Sequence, residues 1–202
     1  MRYGLQYMMY ADDTQLYVTC RGSGESMGVL EQCLGEIRLW MWDNLLVLND
    51  GKTESIKFSS RFAPNCASGL PGIVRIGDVD IHPSATVNDL GVVFDSEGTM
   101  SAHVSNLCKK ASFALWKIGK IRSLLDSNVT QRLVHAFVTS RLDCCDSLLF
   151  GIHANEISKI QSIQNSAARL VMQIHKYDSI TPFVKELHWL PYSRRIKFKF
   201  FV

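Results

Sequence analysis

Two adjacent carboxylates lie within an apolar stretch near the start of the chain, in the sequence MMYADDTQLYV. The flanking runs, residues 3–10 and 14–20, predict the two strands of a β-hairpin. Asp12 and Asp13 carry like charges that repel each other unless a cation lies between them. Mg²⁺ suits such a pair, because it takes hard oxygen ligands and commonly uses one or two carboxylates together with substrate phosphates.

The same two acids also fit an ordinary turn, because Asp side chains satisfy local backbone groups. However, Asp-Asp is a poor substitute for the Asn-Gly and Asp-Gly sequences of tight hairpin turns. Successive side chains in a strand point to opposite faces, so Asp12 and Asp13 need not share a role. In a metal site we expect Asp12 to be the more direct ligand and Asp13 to support it. Both interpretations are consistent with these residues alone.

The predicted helix over residues 101–126 carries a stripe of lysines. At 100° per residue, four lysines fall within an arc of about 100°: Lys109, Lys110, Lys117 and Lys120. Phe113 lies within the same arc, and apolar residues occupy the opposite side. Lysines neutralise phosphates without reading base sequence, so this face suits a nucleic-acid backbone. It also suits a plain solvated helix face with one stray aromatic side chain.

Charge is divided unevenly along the chain. Residues 1–100 hold 7 Lys/Arg and 13 Asp/Glu, a net charge of −6, whereas residues 101–202 hold 15 and 6, a net charge of +9. Together they give the +3 of the whole chain. A basic half is typical of proteins that bind a polyanion such as nucleic acid, although solvated helix faces produce the same imbalance.

Hydrophobic periodicity predicts an α+β first half and a helical second half. The first half is predicted to contain one helix, short strands and a second hairpin: a helix over 26–43, strands over 45–49 and 54–58, a loop over 59–72, a hairpin around Gly77–Asp78 and a strand over TVNDLGVVFD. The second half is predicted to contain three long helices and two short ones: 101–126, 128–150, 154–175, 181–187 and 193–201. We place the domain boundary near residue 98.

Cysteine spacing and hydropathy argue against several classes of protein. The six cysteines show no CxxC spacing, which disfavours a zinc site or a disulfide framework and favours a reducing, intracellular compartment. No apolar run approaches the roughly 18 residues needed to cross a bilayer, so we expect no membrane partner. Paired histidine spacing and the Walker A, GxSxG and Rossmann patterns are also absent from the sequence.

Several motifs together resemble one family. YADD resembles the motif C box of reverse transcriptases. WMWDNLLVLNDGKTESIKF is similar to the segment that follows this box in non-LTR retrotransposon (LINE-type) reverse transcriptases. Four further segments are similar to later blocks of that family, in the same order: DLGVVFDSEGTMSAHVSNLCKK, LVHAFVTSRLDCCDSLLFG, ISKIQSIQNSAARLV and HKYDSITPFVKELHWLPYSRRIKFK. The resemblance covers nearly the whole chain.

This resemblance implies an RNA-directed DNA polymerase, a nucleotidyltransferase that uses Mg²⁺ with an RNA template and a DNA primer. Tyr10, Asp12 and Asp13 would then lie at the palm active site, with the two acids near the metals. Residues 1–98 would be the C-terminal part of the palm, built of antiparallel hairpins and a helix. Residues 99–202 would be an all-helical, thumb-like region that holds the template–primer duplex.

Three further residues take their expected roles from the resemblance. Lys52 matches the lysine of a motif D-like block, whose proposed role is to help protonate the departing pyrophosphate. A surface lysine after an Asp-Gly turn is the alternative for this residue. Leu90 and Gly91 match a motif E-like hairpin that supports the primer end.

The sequence also departs from the family. Nine residues precede Tyr10, none of them acidic, so they include no motif A aspartate and no motif B. The usual DYCN of the family reads DCCD at Asp143 to Asp146. We therefore expect no polymerase activity from this chain alone. The alternatives are a non-catalytic nucleic-acid-binding module that uses the basic helical half, or a relic without selected function whose exposed apolar sheet surface promotes aggregation.

Overall fold

The structure is a computed structural model that describes residues 4–19, 25–59 and 72–201. It confirms the predicted α+β class, with short strand pairs and one long helix followed by a helical second half. The chain divides into two compact units. We call residues 1–87 with 96–98 the N-terminal unit, and residues 88–95 with 99–202 the C-terminal unit.

Short strand pairs and one helix form the N-terminal unit. Strands β1 (Gln6–Tyr10) and β2 (Asp13–Tyr17) pair antiparallel and confirm the first predicted hairpin. Helix α1 and four more strands follow along the chain: α1 (Glu25–Asp43), β3 (Ser55–Ile56), β4 (Val74–Ile76), β5 (Val79–Ile81) and β6 (Pro83–Ser84). Antiparallel pairing of β4 with β5 confirms the hairpin at Gly77–Asp78, and β3 pairs parallel with β6.

A small apolar core holds the N-terminal unit together. Its buried members come from α1, from the β4–β5 hairpin and from the residue before β1: Leu5, Leu30, Val74, Ile76 and Ile81. Leu30 begins the apolar stripe of α1, whose residues recur every three to four positions and so share one face. Leu16 of β2 packs partly against this core, which ties the first hairpin to α1.

A third hairpin lies where the chain passes between the two units. The segment TVNDLGVVFD, predicted as one strand, forms two strands, β7 (Thr86–Asp89) and β8 (Val92–Asp95). The strand prediction was wrong because Leu90 and Gly91 have φ angles of 46° and 88°. Positive φ at both central residues matches the tight primed turns that join paired strands.

Helices build the C-terminal unit. Helix α2 covers Ser101–Ile121, and α3 (Ser127–Val134) begins where the Asp126 carboxylate accepts a hydrogen bond from the Val129 N–H at 2.7 Å, a standard N-cap. Five further helical elements follow in this unit: a π-helical segment (His135–Thr139) that leads into α4 (Ser140–Leu142), and then α5 (Ala154–Met172), α6 (Thr181–Glu186) and α7 (Tyr192–Phe201).

The core of the C-terminal unit is continuous across its helices. Fifteen buried residues form one cluster, contributed by β8 and by α2 to α5 and α7. Val104, Val138 and Ile160 are fully buried in it. The Arg122 guanidinium donates to the backbone oxygens of Leu170 and Val171 at 2.9 Å, which fastens the end of α2 to the end of α5.

Two further predictions about helix and strand extent were wrong. Residues 45–49 form no strand, because Leu45 ends α1 with a φ of 58° and Asp50–Lys52 then form a 3-10 turn. The helix predicted over 128–150 ends at Leu142, because Cys145 has a φ of 55° that no right-handed helix accommodates. Most of the predicted loop over 59–72 falls outside the described residues.

Among the described residues, no helix is both long and apolar enough to cross a membrane.

Candidate functional site: an acidic hairpin and a basic helix face

The tip of the β1–β2 hairpin carries the two acids, one in the turn and the other at the start of β2. Tyr10 lies opposite Asp13 in the strand register, so the two turn residues are Ala11 and Asp12. Ala11 has a φ of 52°, a left-handed conformation that a non-glycine residue adopts only at a cost of about 1–2 kcal/mol. The turn is therefore Ala-Asp rather than Asp-Asp, and Asp13 belongs to β2.

Both carboxylates are exposed, and Tyr10 is 65% exposed. Water and dissolved salt screen the repulsion between exposed like charges, so the exposed tip accommodates both carboxylates. Their oxygens are hard donors of the kind that Mg²⁺ takes. Among the described residues, however, no group of three His, Cys, Asp or Glu side chains lies close enough to hold a metal ion. The donor chemistry fits Mg²⁺, but the number of donors falls short of a complete site.

The structure does not join Lys52 to the acids. Lys52 ends the exposed 3-10 turn, where its N–H donates to the Asn49 oxygen at 3.0 Å. Within the described ranges no ion pair links Lys52 to Asp12 or Asp13. Its expected role in protonating pyrophosphate stays a prediction, and its local setting is that of a lysine directly after an Asp-Gly turn.

Leu90 and Gly91 form the turn of the β7–β8 hairpin, and the side chain of Leu90 is 48% exposed. A bulky residue at positive φ is unusual and costs conformational energy. An exposed leucine at a hairpin tip offers an apolar contact surface to a binding partner. The structure shows the hairpin that the resemblance implies at this position, while support of a primer end stays a prediction.

Helix α2 presents the lysine stripe to solvent. All four predicted lysines are exposed: Lys109, Lys110, Lys117 and Lys120. The opposite side of the helix is buried in the core through Val104, Leu107 and Ala111, together with Ile118. The basic side of the helix is therefore available to an external partner. We call this exposed side, together with the aromatic residues that lie in it, the basic face of α2.

Two aromatic rings lie within the basic face. Phe113 and Trp116 are each 57% exposed, and their rings lie nearly parallel, 5.9 Å apart between centroids at an interplanar angle of 15°. The Lys117 ammonium lies 4.6 Å from the centroid of the Phe113 ring, and the Lys120 ammonium lies 4.9 Å from that of Trp116. These are cation–π distances, so rings and charges form one connected surface.

Trp116 was missed by reasoning from the sequence alone, although a signal was present. Each aromatic residue of the pair is followed four positions later by a lysine, which is the spacing that brings two side chains together on a helix. The pattern F-x-x-W-K-x-x-K over Phe113 to Lys120 therefore encodes two neighbouring cation–π pairs. The lone Phe113 that looked like a stray aromatic is half of this arrangement.

Two of the four basic side chains of α7 pair with carboxylates of the same unit. Arg195 pairs with the Asp143 carboxylate at 3.2 Å, and Lys199 pairs with that of Asp146 at 3.2 Å. Asp146 is 2% exposed, and burial raises its pKa even though the Lys199 ammonium acts in the opposite direction. The Tyr192 hydroxyl donates to the Leu142 oxygen at 2.8 Å. These contacts favour a packing role for α7 over a nucleic-acid contact.

No family model, curated protein or solved structure matches the chain. The resemblance to LINE-type reverse transcriptases therefore rests on the motifs themselves, from YADD to the final basic segment. The structure adds the placement of those motifs: two exposed acids at a hairpin tip in the N-terminal unit, and a basic, aromatic helix face in the C-terminal unit.

Proposed function

We propose that this chain is the part of a LINE-type reverse transcriptase that runs from the YADD hairpin through the thumb, and that the basic face of α2 binds a nucleic-acid backbone. The observation that carries the proposal is the placement of Lys109, Lys110, Lys117 and Lys120 on the exposed side of α2. Exposed lysines at this density release counterions from the nucleic acid when they contact its phosphates. This release drives binding that does not depend on the base sequence.

The hairpin has a separate part in this proposal. Asp12 and Asp13 would hold Mg²⁺, which in polymerases activates the attacking hydroxyl and stabilises the leaving oxygen. Their exposure at the tip leaves room for a metal ion and for the phosphates of an incoming nucleotide. A two-metal site on this hairpin requires further carboxylates besides these two. We therefore propose that the 202-residue chain alone binds nucleic acid but does not polymerise.

A salt-titrated binding assay tests the nucleic-acid part. An RNA–DNA duplex is titrated with the full chain and with the double variant Lys110→Gln and Lys117→Gln. The slope of log affinity against log salt should become shallower by up to about 0.9 for each phosphate that the variant no longer neutralises. The control is Lys176→Gln with Lys185→Gln, which removes the same charge from exposed positions outside α2.

Two results of that assay would count against the proposal. Undetectable binding at low salt would exclude a nucleic-acid partner for this chain. Equal weakening by the α2 variant and by the control variant would show a diffuse effect of net charge instead of a site on α2. Circular dichroism of each variant establishes that the substitution of exposed lysines has left the helices intact.

Primer extension on an RNA template with Mg²⁺ tests the catalytic part. We expect no incorporation by the 202-residue chain, and we expect Asp12→Ala to leave nucleic-acid binding unchanged. Clear incorporation that Asp12→Ala abolishes would overturn the proposed inactivity and would at the same time establish the metal role of the hairpin. Incorporation that survives Asp12→Ala would indicate a contaminating polymerase.

The second candidate is a non-catalytic nucleic-acid-binding module. It is favoured by the same basic face, because that face needs neither the acids nor Mg²⁺. A longer chain that places this sequence after polymerase segments bearing motif A and motif B distinguishes the two candidates. Polymerase activity that depends on Asp12 and Asp13 supports the first, and binding without activity supports the second.

A further inference from the structure

We propose that Phe113 and Trp116 stack on unpaired bases, so that the basic face of α2 prefers a single strand, or a duplex with a single-stranded overhang, to a blunt duplex. This inference rests on the proposed nucleic-acid binding of the same face and narrows its partner. Lysines contact phosphates and therefore bind paired and unpaired strands alike, whereas aromatic rings stack on bases that are unpaired.

The geometry of the pair carries the inference. Both rings are more than half exposed and lie nearly parallel with their centroids 5.9 Å apart, so each of them presents aromatic surface to solvent beside the lysines. Base–aromatic stacking needs such a surface and tolerates any base, because every base has a π face. In a blunt duplex the base faces are covered by neighbouring bases, so the rings reach them only at the ends.

The lysine positions add a second contribution. Lys117 and Lys120 lie over the rings of Phe113 and Trp116, which limits the freedom of their long side chains. A side chain that is already restrained loses less entropy when it binds a phosphate. A base that stacks on one of these rings takes the place of the ammonium above it, and the displaced lysine, four residues further along the helix, stays within reach of the neighbouring phosphate.

Other occupants of this face fit less well. An interfacial membrane helix buries a continuous apolar side in the lipid, but the apolar side of α2 already lies in the protein core through Val104, Leu107 and Ala111. A second copy of this chain would place four lysines against four lysines, which is repulsive. A polyanion with flat, apolar bases matches both the charge and the rings.

The test compares three probes with equal numbers of phosphates: a single-stranded oligonucleotide, a blunt duplex of two strands, and a shorter duplex with a single-stranded overhang. For Trp116→Leu and for Phe113→Leu, affinity for the single strand and for the overhang should fall by about tenfold, the lower part of the range known for base–aromatic stacking. Affinity for the blunt duplex should not change. Trp116→Phe keeps a ring and should retain most of the single-strand affinity.

Phe137→Leu is the matched control, because Phe137 is a helical phenylalanine of similar exposure, 50%, outside α2. The inference is overturned if single-strand affinity is unchanged in both aromatic variants, or if they weaken all three probes equally. It is also overturned if Trp116→Leu instead abolishes self-association in sedimentation or binding to anionic vesicles. Weakening by the lysine variants without any effect of the aromatic variants would defeat this inference and leave the proposed function standing.

Discussion

The two units differ in how much of their apolar surface they bury. Among the described residues, five are buried in the core of the N-terminal unit, whereas fifteen are buried in one cluster of the C-terminal unit. In the N-terminal unit the large apolar side chains near YADD stay 47–65% exposed: Tyr7, Met8, Met9, Tyr10 and Tyr17. The YADD motif thus lies among exposed apolar side chains, and exposed apolar patches of this kind are typical of interaction surfaces.

The units also differ in how they use charge. The C-terminal unit buries ionisable groups and pairs them, as with Asp146 and Lys199, while it leaves the α2 lysines exposed. In the N-terminal unit the ion pairs between described residues are half-exposed, such as Arg38 with Asp50 at 3.4 Å. We therefore expect substitutions of similar chemistry to cost more in the C-terminal unit, and the following experiments test that difference from the largest expected effect to the smallest.

The largest effect is expected from truncating one core isoleucine in each unit. Ile160 is fully buried and Ile76 is 1% exposed. Ile160→Ala should lower the free energy of unfolding of the C-terminal unit by about 2–5 kcal/mol. Ile76→Ala should lower the free energy of unfolding of the N-terminal unit by a smaller amount. It should nevertheless unfold that unit, because a core with five buried described residues gives it a small free energy of unfolding to begin with. Urea titration followed by hydrogen exchange assigns each transition, and a single coincident transition in both variants would contradict independent units.

A smaller effect is expected from removing one side-chain donor to a core carbonyl in each unit. Tyr192 is fully buried, and its hydroxyl serves the Leu142 oxygen, so Tyr192→Phe leaves that oxygen without this partner and should cost about 1–3 kcal/mol. Arg38 donates to the Ile76 oxygen at 3.1 Å from a side chain that is 42% exposed. Arg38→Met should cost less, because water can replace the guanidinium. Equal decreases of stability in thermal unfolding would argue against the difference in burial.

Sequence periodicity predicted the elements whose apolar residues face a core. Helix α1, the Gly77–Asp78 hairpin and the basic side of α2 follow from spacing alone, because one face of each element is buried and the pattern records that face. The hairpin at Asp12–Asp13 was also predicted, although the turn proved to lie one residue earlier. A shift of one residue reverses the side of the strand on which a side chain lies, so this detail places Asp13 opposite Tyr10.

The features that sequence reasoning missed depend on single backbone angles. Leu45, Leu90 and Cys145 are non-glycine residues at positive φ, and each ends or divides an element that periodicity had extended. Tertiary packing compensates for such angles, so residue type does not reveal them. At the candidate site, the acids and lysines were found from their types, but the pairing of Trp116 with Phe113 required the helix geometry.

The pH dependence of stability should also separate the units. Burial, and then the charge of Lys110, lower the pKa of His103 in the C-terminal unit, and its Nδ1 accepts a hydrogen bond from the Val93 N–H at 3.3 Å. Because the folded pKa lies below the unfolded one, the unfolded chain takes up the proton first as pH falls below about 6.5. Stability should therefore decrease on acidification, by at most about 1.4 kcal/mol per pH unit for one proton.

His103→Asn retains an acceptor for the Val93 N–H but does not titrate, so it should flatten that slope. His82→Asn, at an exposed position of the N-terminal unit, is the matched control. Denaturant midpoints measured between acidic and neutral pH would decide the question. An unchanged slope in His103→Asn would show that the acid dependence comes from other groups.

The smallest effects are expected from relieving left-handed strain in each unit. Gln173 ends α5 with a φ of 54°, and Ala11 has a φ of 52° in the hairpin turn. Glycine removes the steric cost of this conformation but makes the unfolded chain more flexible, so each substitution should stabilise by only about 0.5 kcal/mol. Gln173→Gly should raise the unfolding midpoint of the whole C-terminal unit, because α5 contributes to its core throughout its length.

Ala11→Gly should act differently, because β1 is exposed along its whole length and opens without unfolding the core beneath. We expect slower hydrogen exchange at the amides of β1 and β2 alone, with no change in the global midpoint. Ala136→Gly, at an exposed helical position, is the opposing control and should destabilise by about 0.5–1 kcal/mol. If Ala11→Gly raised the global midpoint as much as Gln173→Gly does, the hairpin would be an integral part of a cooperative unit. The YADD tip would then be more rigid than the exposure of β1 predicts.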